Sequence, residues 1–368
     1  MDARTLSKLY ALDGPFVTIY LNTRGDTEDA ATQLETRWKN ILRELAEHGI
    51  DDATREALTQ ARGDHTNGGT RVLVAAHGTV QLATSLPQPP PTDHEITVGP
   101  LPRLVPLADA LALQLPHLVV LADRTGADVL AYTTEGNDPV ETESTDNDRF
   151  PQRKVHAGGW AAKRYDNDVE ETWEQSARDV ASLIDKLAGD IDARVIAACG
   201  DDRALQLIAQ HLPTHLVGRF VTVKGGGRHQ DGSDELIAQE VLRVLADRVA
   251  ADTIELLETF SQERGQQDRA ADGIRPTIAA LQKGQVRTLI LTDSRDSAQQ
   301  AYGGPDATHL ALTTADLDAM GLGAYHEAPL EELLLRAAWG TGADVQFVTG
   351  GVEQSPGDGI GALLRYAD

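Results

Sequence analysis

The 368-residue chain has little of several residue types, and each shortage excludes a class of protein. It has one cysteine, Cys199, so no disulfide can form within the chain and a cysteine-based zinc site is excluded. No apolar run approaches the roughly 20 residues that a membrane-spanning helix needs. The first residues lack a basic region followed by an apolar run, so we expect no signal peptide and a soluble, cytoplasmic protein.

Positive charge is also scarce. The 33 lysines and arginines face 57 aspartates and glutamates, which gives a formal net charge of −24. A field of this sign repels nucleic acid and anionic lipid at long range. The excess of acids is consistent with a solubility requirement or with adaptation to high salt. In both cases a contact with RNA requires a local basic patch, because salt screens the more distant carboxylates.

One such patch exists, in the segment "RFPQRKVHAGGWAAKRY" at 149–165, which has no carboxylate. Its five cations are Arg149, Arg153, Lys154, Lys163 and Arg164. Gly158 and Gly159 allow close backbone approach, Trp160 can stack on an unpaired base, and His156 can add a stacking or phosphate contact. The alternative is a surface loop whose tryptophan packs back onto its own domain. The loop residues alone favour neither interpretation.

The pattern of apolar residues predicts strands that alternate with helices, and therefore a layered α/β fold. Residues 16–23 predict a strand, residues 27–48 predict a helix, and the residues on either side of Gly78 predict a hairpin. The proline cluster at 87–91 is incompatible with a helix or a central strand. We expect an edge strand and a linker there.

Further along, residues 117–134 predict a second hairpin, and a helix is predicted to begin at Asp168 and to end at Gly189. A long helix is predicted over about 233–260. Together these features predict three domains, with boundaries near 110 and 250. They are a divergent N-terminal domain with a linker (1–110), a middle domain that carries the Gly-Gly-Trp loop (111–250) and a C-terminal domain (251–368).

The other candidate motifs do not meet the requirements of a cofactor or metal site. The segment "GDGIGALL" at 357–364 lacks the following helix and acid of a dinucleotide fingerprint, and "KGGGRH" at 224–229 is not a P-loop. His211 and His215 are separated by Pro213, so we expect them on different helix faces. We expect Cys199 to be a buried thiol. We therefore expect no bound cofactor or metal and no catalytic residue.

The segment "GGWAAKRYDNDVEETWEQSARDVA" resembles the middle domain of the class-one peptide-chain release factor (eRF1/Pelota-like) family. In that family a Gly-Gly-Gln loop precedes a small residue, a basic-aromatic pair and a long helix. Here Ala161, Arg164 and Tyr165 stand at those places. The segments "VVLADRTGADVLAY", "TIAALQKGQVRTLILTD" and "GADVQFVTGGVEQ" resemble further parts of the family. The resemblance covers about residues 115–368, in order.

Two departures from the family pattern concern function. The Asn-Ile-Lys-Ser motif with which release factors read stop codons is absent from the sequence, and Trp160 stands where they have the catalytic glutamine. An indole N–H can only donate a hydrogen bond, so Trp160 cannot position a water as a glutamine does. This combination resembles the bacterial and archaeal branch of the family, which includes Balon-like ribosome hibernation factors. Pelota also lacks the Gly-Gly-Gln sequence.

The resemblance implies an RNase H-like middle domain and an L7Ae-like α/β/α C-terminal domain. It also implies a non-catalytic ribosome-binding protein of hibernation, stress or rescue, which occupies the A site and contacts ribosomal RNA there and at the peptidyl transferase centre. Elongation factor Tu or another translational GTPase is the expected protein partner. The expected RNA-binding residues are Arg149, Arg153, Lys154, His156, Gly158, Gly159, Trp160, Lys163 and Arg164. Two alternatives stay open: a peptidyl-tRNA hydrolase or tRNA-cleaving enzyme that acts on stalled ribosomes, and a protein–protein adaptor.

Overall fold

The computed structural model describes most of the chain. The described residues are 3–23, 30–63, 69–86, 88–134, 139–146, 160–225, 234–266, 268–293, 295, 298–348 and 354–366, and the side chains of 3–4, 30, 146, 160–171 and 234 are excepted. These residues form two compact units. Unit 1 combines Met1–Ala112 with Thr253–Asp368, and unit 2 is Leu113–Asp252. The three-domain division stays a prediction, although both breaks between the units lie close to its proposed boundaries.

The first segment of unit 1 is an antiparallel sheet with helices on its faces. Its strands are β1 (Phe16–Asn22), β2 (Thr70–Ala76), β3 (Thr79–Leu86) and β4 (His94–Gly99), in the order β3-β2-β1-β4. Its helices are α1 (Ala3–Ser7), α2 (Ala30–Glu47), α3 (Asp52–Arg62) and α4 (Val105–Ala112). One sheet face packs on α2 and α3 through Ile19, Trp38 and Leu58. The predicted strand, the hairpin at Gly78 and the edge strand after the prolines are all observed.

The second segment of unit 1 has a mixed four-stranded sheet in the order β10-β16-β11-β15 and a small three-stranded sheet in the order β13-β12-β14. The strands are β10 (Ala270–Asp272), β11 (Val286–Thr292), β12 (Gln300–Gly303), β13 (Leu310–Ala311), β14 (His326–Pro329), β15 (Asp344–Val348) and β16 (Ile360–Leu364). The helices are the last part of α8 (Asp234–Gln266), α9 (Ile274–Gln282), α10 (Thr314–Ala319) and α11 (Leu330–Gly340). Phe260, at the end of α8, packs on one face of the larger sheet, and Leu281 and Leu334 pack on the other. The segment therefore has the expected α/β/α layering.

A single apolar core joins the two segments of unit 1. Phe16 and Leu104 from the first segment belong to the same buried cluster as Leu289, Leu330 and Leu334 from the second, and all five side chains are at most 1% exposed. Burying a leucine or phenylalanine side chain of this size stabilises a fold by about 1.5–3 kcal/mol. The first and last segments of the chain therefore depend on each other for the burial of their apolar faces.

Unit 2 is a five-stranded sheet with helices on both faces. Its strands are β5 (His117–Ala122), β6 (Gly126–Tyr132), β7 (Glu141–Asp146), β8 (Val195–Gly200) and β9 (Phe220–Thr222), in the order β7-β6-β5-β8-β9. β5, β6 and β7 pair antiparallel, whereas β5 with β8 and β8 with β9 pair parallel. Three antiparallel strands followed by two parallel ones are the arrangement of an RNase H-like fold. The α/β fold class is confirmed.

The helices of unit 2 cover the two faces of this sheet. They are α5 (Trp160–Ile191), α6 (Asp202–His211), α7 (Thr214–Val217) and α8 (Asp234–Gln266), the last of which continues into unit 1. α5 and α6 pack on one face, and Val241 and Leu245 of α8 pack on the other. No helix in the described part of the chain combines the length and apolar character needed to cross a membrane.

Candidate nucleic-acid interface

The basic loop connects the edge strand β7 to the helix α5, and most of it lies outside the described residues. The predicted contact residues that fall there are Arg149, Arg153, Lys154, His156, Gly158 and Gly159. Trp160 is the first residue of α5, and Lys163 and Arg164 follow it within the first two turns. The backbone thus places three of the nine predicted residues on one regular element, while the roles of all nine stay predictions.

The helix begins earlier than the sequence predicts, which changes the setting of these three residues. It was expected to begin at Asp168 and begins at Trp160, and it ends at Ile191 instead of Gly189. Alanine, lysine and arginine are among the strongest helix formers, so the sequence "AAKR" at 161–164 extends the helix toward the glycines. Trp160, Lys163 and Arg164 therefore belong to a helix and not to a loop.

The far part of α5 is anchored in the core of unit 2. Trp173 is 8% exposed, and Val180, Ile184 and Leu187 are at most 1% exposed, at the spacing of one helix face. With a rise of 1.5 Å per residue, Trp160 lies about 20 Å from Trp173 along the axis. The first turn of a helix also has unpaired N–H groups and a positive dipole end, which favour phosphate groups. The core contacts therefore fix the axis of α5, whose first residue is Trp160.

Beside α5, at the carboxyl ends of β5 and β8, Arg124 contacts a carboxylate and an aromatic ring. Its Nε donates to Oδ2 of Asp201 at 3.0 Å, and its guanidinium carbon lies 4.9 Å from the centre of the Trp173 ring. The side chains of Arg124 and Asp201 are 50% and 30% exposed. This arginine therefore places a positive charge at the surface next to the helix that follows the basic loop.

The carboxylate of Asp201 caps α6. It accepts hydrogen bonds from the N–H groups of Arg203 and Ala204 at 3.1 Å each. Burial opposes ionisation of Asp201, but the bonds from Arg124 and from Ala204 outweigh it and lower the pKa of this carboxyl group. Asp201 therefore stays ionised and has a structural role at the start of the helix.

Asp123, at the end of β5, also has a local structural role. Its Oδ1 accepts bonds from the N–H and hydroxyl of Thr125 and from the N–H of Gly126, at 2.7, 2.5 and 3.0 Å. These bonds hold the turn of the predicted hairpin. Within the described ranges, no group of three or more histidines, cysteines, aspartates and glutamates is arranged to hold a metal ion.

Two further predictions from the sequence are confirmed in unit 2. Cys199 is fully buried in β8, and burial raises the pKa of its thiol to about 11. The thiol is therefore protonated at neutral pH and acts as a small apolar side chain. His211 ends α6 and His215 lies in α7, with Pro213 between the two helices. The two histidines do not share a helix face.

Unit 1 contains a buried polar network that the sequence analysis missed. Glu331 and Glu332 of α11 are 3% and 1% exposed. Oε2 of Glu332 accepts hydrogen bonds from the hydroxyl of Tyr10 at 2.5 Å and from the N–H of Leu104 at 3.0 Å, and Oε1 accepts one from the N–H of Val105 at 3.0 Å. These bonds connect the first segment of unit 1 to the second.

Two arginines balance the charge of the network. Nη1 of Arg103 lies 3.3 Å from Oε1 of Glu332 and also ion-pairs with Glu331, while Nε of Arg295 donates to Oε2 of Glu331 at 2.8 Å. Burial raises the pKa of Glu332 to about 7, against the opposing effects of Arg103 and Tyr10. Two adjacent acids inside the apolar run "PLEELLLRAAWG" were the available sequence signal. The network supports the fold of unit 1. Its residues are distant in sequence from the basic segment 149–165.

Comparisons with known proteins agree with these observations on unit 2. The family model described as bacterial archaeo-eukaryotic release factor family 2 matches residues 116–266, which include the basic loop and α5. An uncharacterized protein of Mycobacterium tuberculosis (strain H37Rv) is 28% identical over 373 residues, which cover 100% of this chain and 97% of that protein.

Two solved structures are also similar to the chain. A model of ribosome-bound archaeal Pelota and ABCE1 is 14% identical, covers 99% of this chain and 93% of that one, and has a TM-score of 0.44. Saccharomyces cerevisiae Dom34, described as a translation termination-like factor that interacts with Hbs1, is 14% identical, covers 81% and 80% of the two chains, and has a TM-score of 0.42. At these scores the two likenesses add no argument of their own. The match over residues 116–266 confirms the resemblance of this middle segment to the eRF1/Pelota-like family of release-factor-like proteins.

Proposed function

We propose that the chain is a ribosome-binding, release-factor-like protein that occupies the A site without catalysing peptide release, in ribosome hibernation, stress or rescue. The observation that carries the proposal is the family match over 116–266, which includes Gly158-Gly159-Trp160, the segment that resembles the Gly-Gly-Gln loop of the release factors. The helix α5 supports it, because it begins at Trp160 and is anchored in the core from Trp173 onward. In this proposal the protein acts in the cytoplasm and meets elongation factor Tu or another translational GTPase.

The proposed chemistry divides the work between charge and stacking. The five cations of the basic segment 149–165 contact ribosomal RNA phosphates, and the glycines allow the backbone to approach the RNA closely. Trp160 supplies a large apolar ring in place of a glutamine amide, so it stacks on a base and fills space. It has no acceptor atom with which to orient an attacking water. The same residues that favour binding therefore disfavour hydrolysis.

The test of the charge contribution is co-sedimentation with vacant 70S ribosomes at several salt concentrations. Replacing Arg153, Lys154, Lys163 and Arg164 by glutamine is expected to weaken binding and to reduce the slope of log affinity against log salt by up to about four, since each phosphate contact contributes about one. The matched control removes the same four charges elsewhere in unit 2, at the exposed side chains of Arg178, Lys186, Arg243 and Arg248. Equal slopes for the two quadruple variants would contradict the proposal and favour the adaptor.

The test of the tryptophan uses two measurements. Trp160→Ala is expected to weaken ribosome binding about 5- to 150-fold, which corresponds to the loss of one base stack at about 1–3 kcal/mol. The wild-type protein is expected to release no labelled peptide from purified ribosomes that carry peptidyl-tRNA, and to inhibit release by a termination factor. Peptide release above background by the wild type would overturn the non-catalytic assignment and support the hydrolase.

A further inference from the structure

Unit 1 has an open cleft of about 1020 Å³, which is at the upper end of the range for small-molecule sites. Segments from four parts of the chain line it: residues 7–15, 99–101, 304–307 and 324–326. The last turns of α11 complete the wall. The cleft belongs to neither the basic loop nor α5, so it is independent of the interface proposed above.

One wall of the cleft is aromatic. The ring centres of Tyr10 and Trp339 are 5.9 Å apart and the ring planes are tilted by 49°. Tyr325 is 39% exposed on the same cleft and packs edge-on against Tyr302, with ring centres 6.2 Å apart. Tyr10 is 7% exposed and packs behind Trp339, so the half-buried Trp339 and the exposed Tyr325 are the rings that offer stacking area to a planar ligand.

A buried arginine lies on the same cleft. Arg336 is 8% exposed, and its Nη1 and Nη2 donate to the carbonyl oxygens of Gly304 and Pro305 at 2.9 and 2.5 Å. Both acceptors are neutral, and none of the described carboxylates is within ion-pairing distance of Arg336. Asp306 is the acid that acts on it through space, but its side chain is 77% exposed and pairs with His309 at 3.6 Å. Burial lowers the pKa of Arg336, so this cation is incompletely compensated.

His326 adds a second polar group beside the arginine. Its Nε2 is buried and has no hydrogen-bond partner among the described residues. Burial, and then the charge of Arg336, lower the pKa of His326, so the ring is neutral at pH 7. A neutral imidazole has one donor and one acceptor nitrogen, and a buried ring nitrogen without a partner is costly. An oxygen-rich ligand group placed at Arg336 can compensate the charge of the arginine.

We propose that this cleft binds a nucleotide, with the base against the half-buried Trp339 ring and the phosphate at Arg336. Asp13 and Asp306 also line the cleft, and their carboxylates can accept hydrogen bonds from ribose hydroxyls and from amino groups of a base. An aromatic carboxylate would use the ring wall and the arginine but would leave these acceptors unused. The same chemistry is available from a free nucleotide and from an unpaired nucleotide of an RNA strand.

The experiment is isothermal titration calorimetry of the full chain with AMP, GMP, CMP and UMP, with the four nucleosides, and with a short single-stranded oligoribonucleotide. Nucleoside monophosphates are expected to bind at least about tenfold more tightly than the nucleosides, because a charge-assisted phosphate contact is among the stronger hydrogen bonds. Binding of free monophosphates identifies a free nucleotide as the ligand. If only the oligomer binds, and a substitution in the cleft abolishes that binding, the ligand is an RNA strand.

A matched pair of variants tests the position without disturbing the core. Ala324 is exposed on the cleft, so Ala324→Glu and Ala324→Gln add side chains of nearly equal size that differ in charge. The glutamate is expected to weaken phosphate binding about fivefold relative to the glutamine, because only the glutamate repels the phosphate. Any steric effect of the longer side chain is the same in both variants. Nucleoside binding is expected to be the same in both variants.

Arg336→Gln is expected to weaken binding on the order of tenfold to a hundredfold, with thermal unfolding used to confirm that unit 1 is folded. The quadruple loop variant described above is expected to bind nucleotide like the wild type, which separates this proposal from ribosome binding. The proposal is overturned if neither the monophosphates nor the oligomer binds, or if binding is equal in Ala324→Glu and Ala324→Gln.

Discussion

Unit 1 and unit 2 both place arginines next to carboxylates, but in opposite surroundings. In unit 1, Arg103 meets Glu332 where that side chain is 1% exposed and accepts bonds from a hydroxyl and two backbone N–H groups. In unit 2, Arg124 meets Asp201 at the surface, where half of the arginine side chain is exposed. Charges in water interact weakly, whereas a buried carboxylate must be satisfied by its neighbours. The first pair therefore supports the fold, whereas the second contributes little to stability beyond the cap of α6.

The largest expected effect comes from removing the buried acceptor. Glu332→Ala deprives Tyr10, two N–H groups and Arg103 of a common partner, and we expect it to lower the free energy of unfolding of unit 1 by about 3–5 kcal/mol. Urea unfolding followed by far-UV circular dichroism measures this. The control is Glu327→Ala at an exposed position of β14, expected to change stability by less than about 0.5 kcal/mol. Similar losses in both variants would refute the distinction between buried and exposed acids.

The pH dependence of unit 1 is expected to be intermediate in size. Burial raises the pKa of Glu332 from 4.5 to about 7, so the folded state holds a proton that the unfolded state has already lost. The stability from this group is fully present below pH 4.5 and is lost as the pH rises through 7, by on the order of 3 kcal/mol.

Glu332→Gln cannot titrate at this position, so the difference in unfolding free energy between wild type and variant isolates the effect. That difference is expected to change between pH 4.5 and 8 and to be constant above pH 8. A difference that is constant over the whole range would show that the folded and unfolded carboxyl groups titrate alike.

The smallest effect is expected at the surface pair of unit 2. Asp201→Asn keeps a good helix cap and removes the charge that faces Arg124, so we expect a loss below about 1 kcal/mol. Asp201→Ala also removes the cap of α6 and is expected to cost about 1 kcal/mol more. Thermal unfolding of the two variants at low and high salt measures both contributions. A loss in Asp201→Asn as large as that of Glu332→Ala would remove the contrast between the units.

The parts of the fold that the sequence predicted are those with strong local periodicity. β1, the hairpin at Gly78, the hairpin of β5 and β6, and α8 were all expected close to their observed bounds. The start of α5 was misplaced because the helix-forming sequence "AAKR" was assigned to the loop. The short strands β12, β13 and β14 were missed, since two to four residues carry no period.

The basic segment and the cleft of unit 1 also differ in how easily they can be recognised from the sequence. The basic loop is contiguous, so composition alone makes it visible. In the cleft of unit 1, Tyr10 lies near Arg336 and Trp339, although each of them is more than 300 positions from Tyr10 in the sequence. Only the fold brings these residues together. The same holds for Tyr10 and Glu332, whose positions differ by 322. Side chains that each look like ordinary core residues acquire a binding or supporting role through a long-range contact.

The division of unit 1 between both ends of the chain has a consequence for synthesis on the ribosome. Unit 2 is complete once residue 252 has left the exit tunnel, and among the described residues its two core clusters contain none from the last segment. The first segment, by contrast, has emerged long before Leu289, Leu330 and Leu334, which complete its core. During translation the side chains of Phe16 and Leu104 therefore lack these partners until 185 to 230 residues beyond Leu104 have been made. A nascent chain stalled in this interval exposes an apolar surface that chaperones recognise.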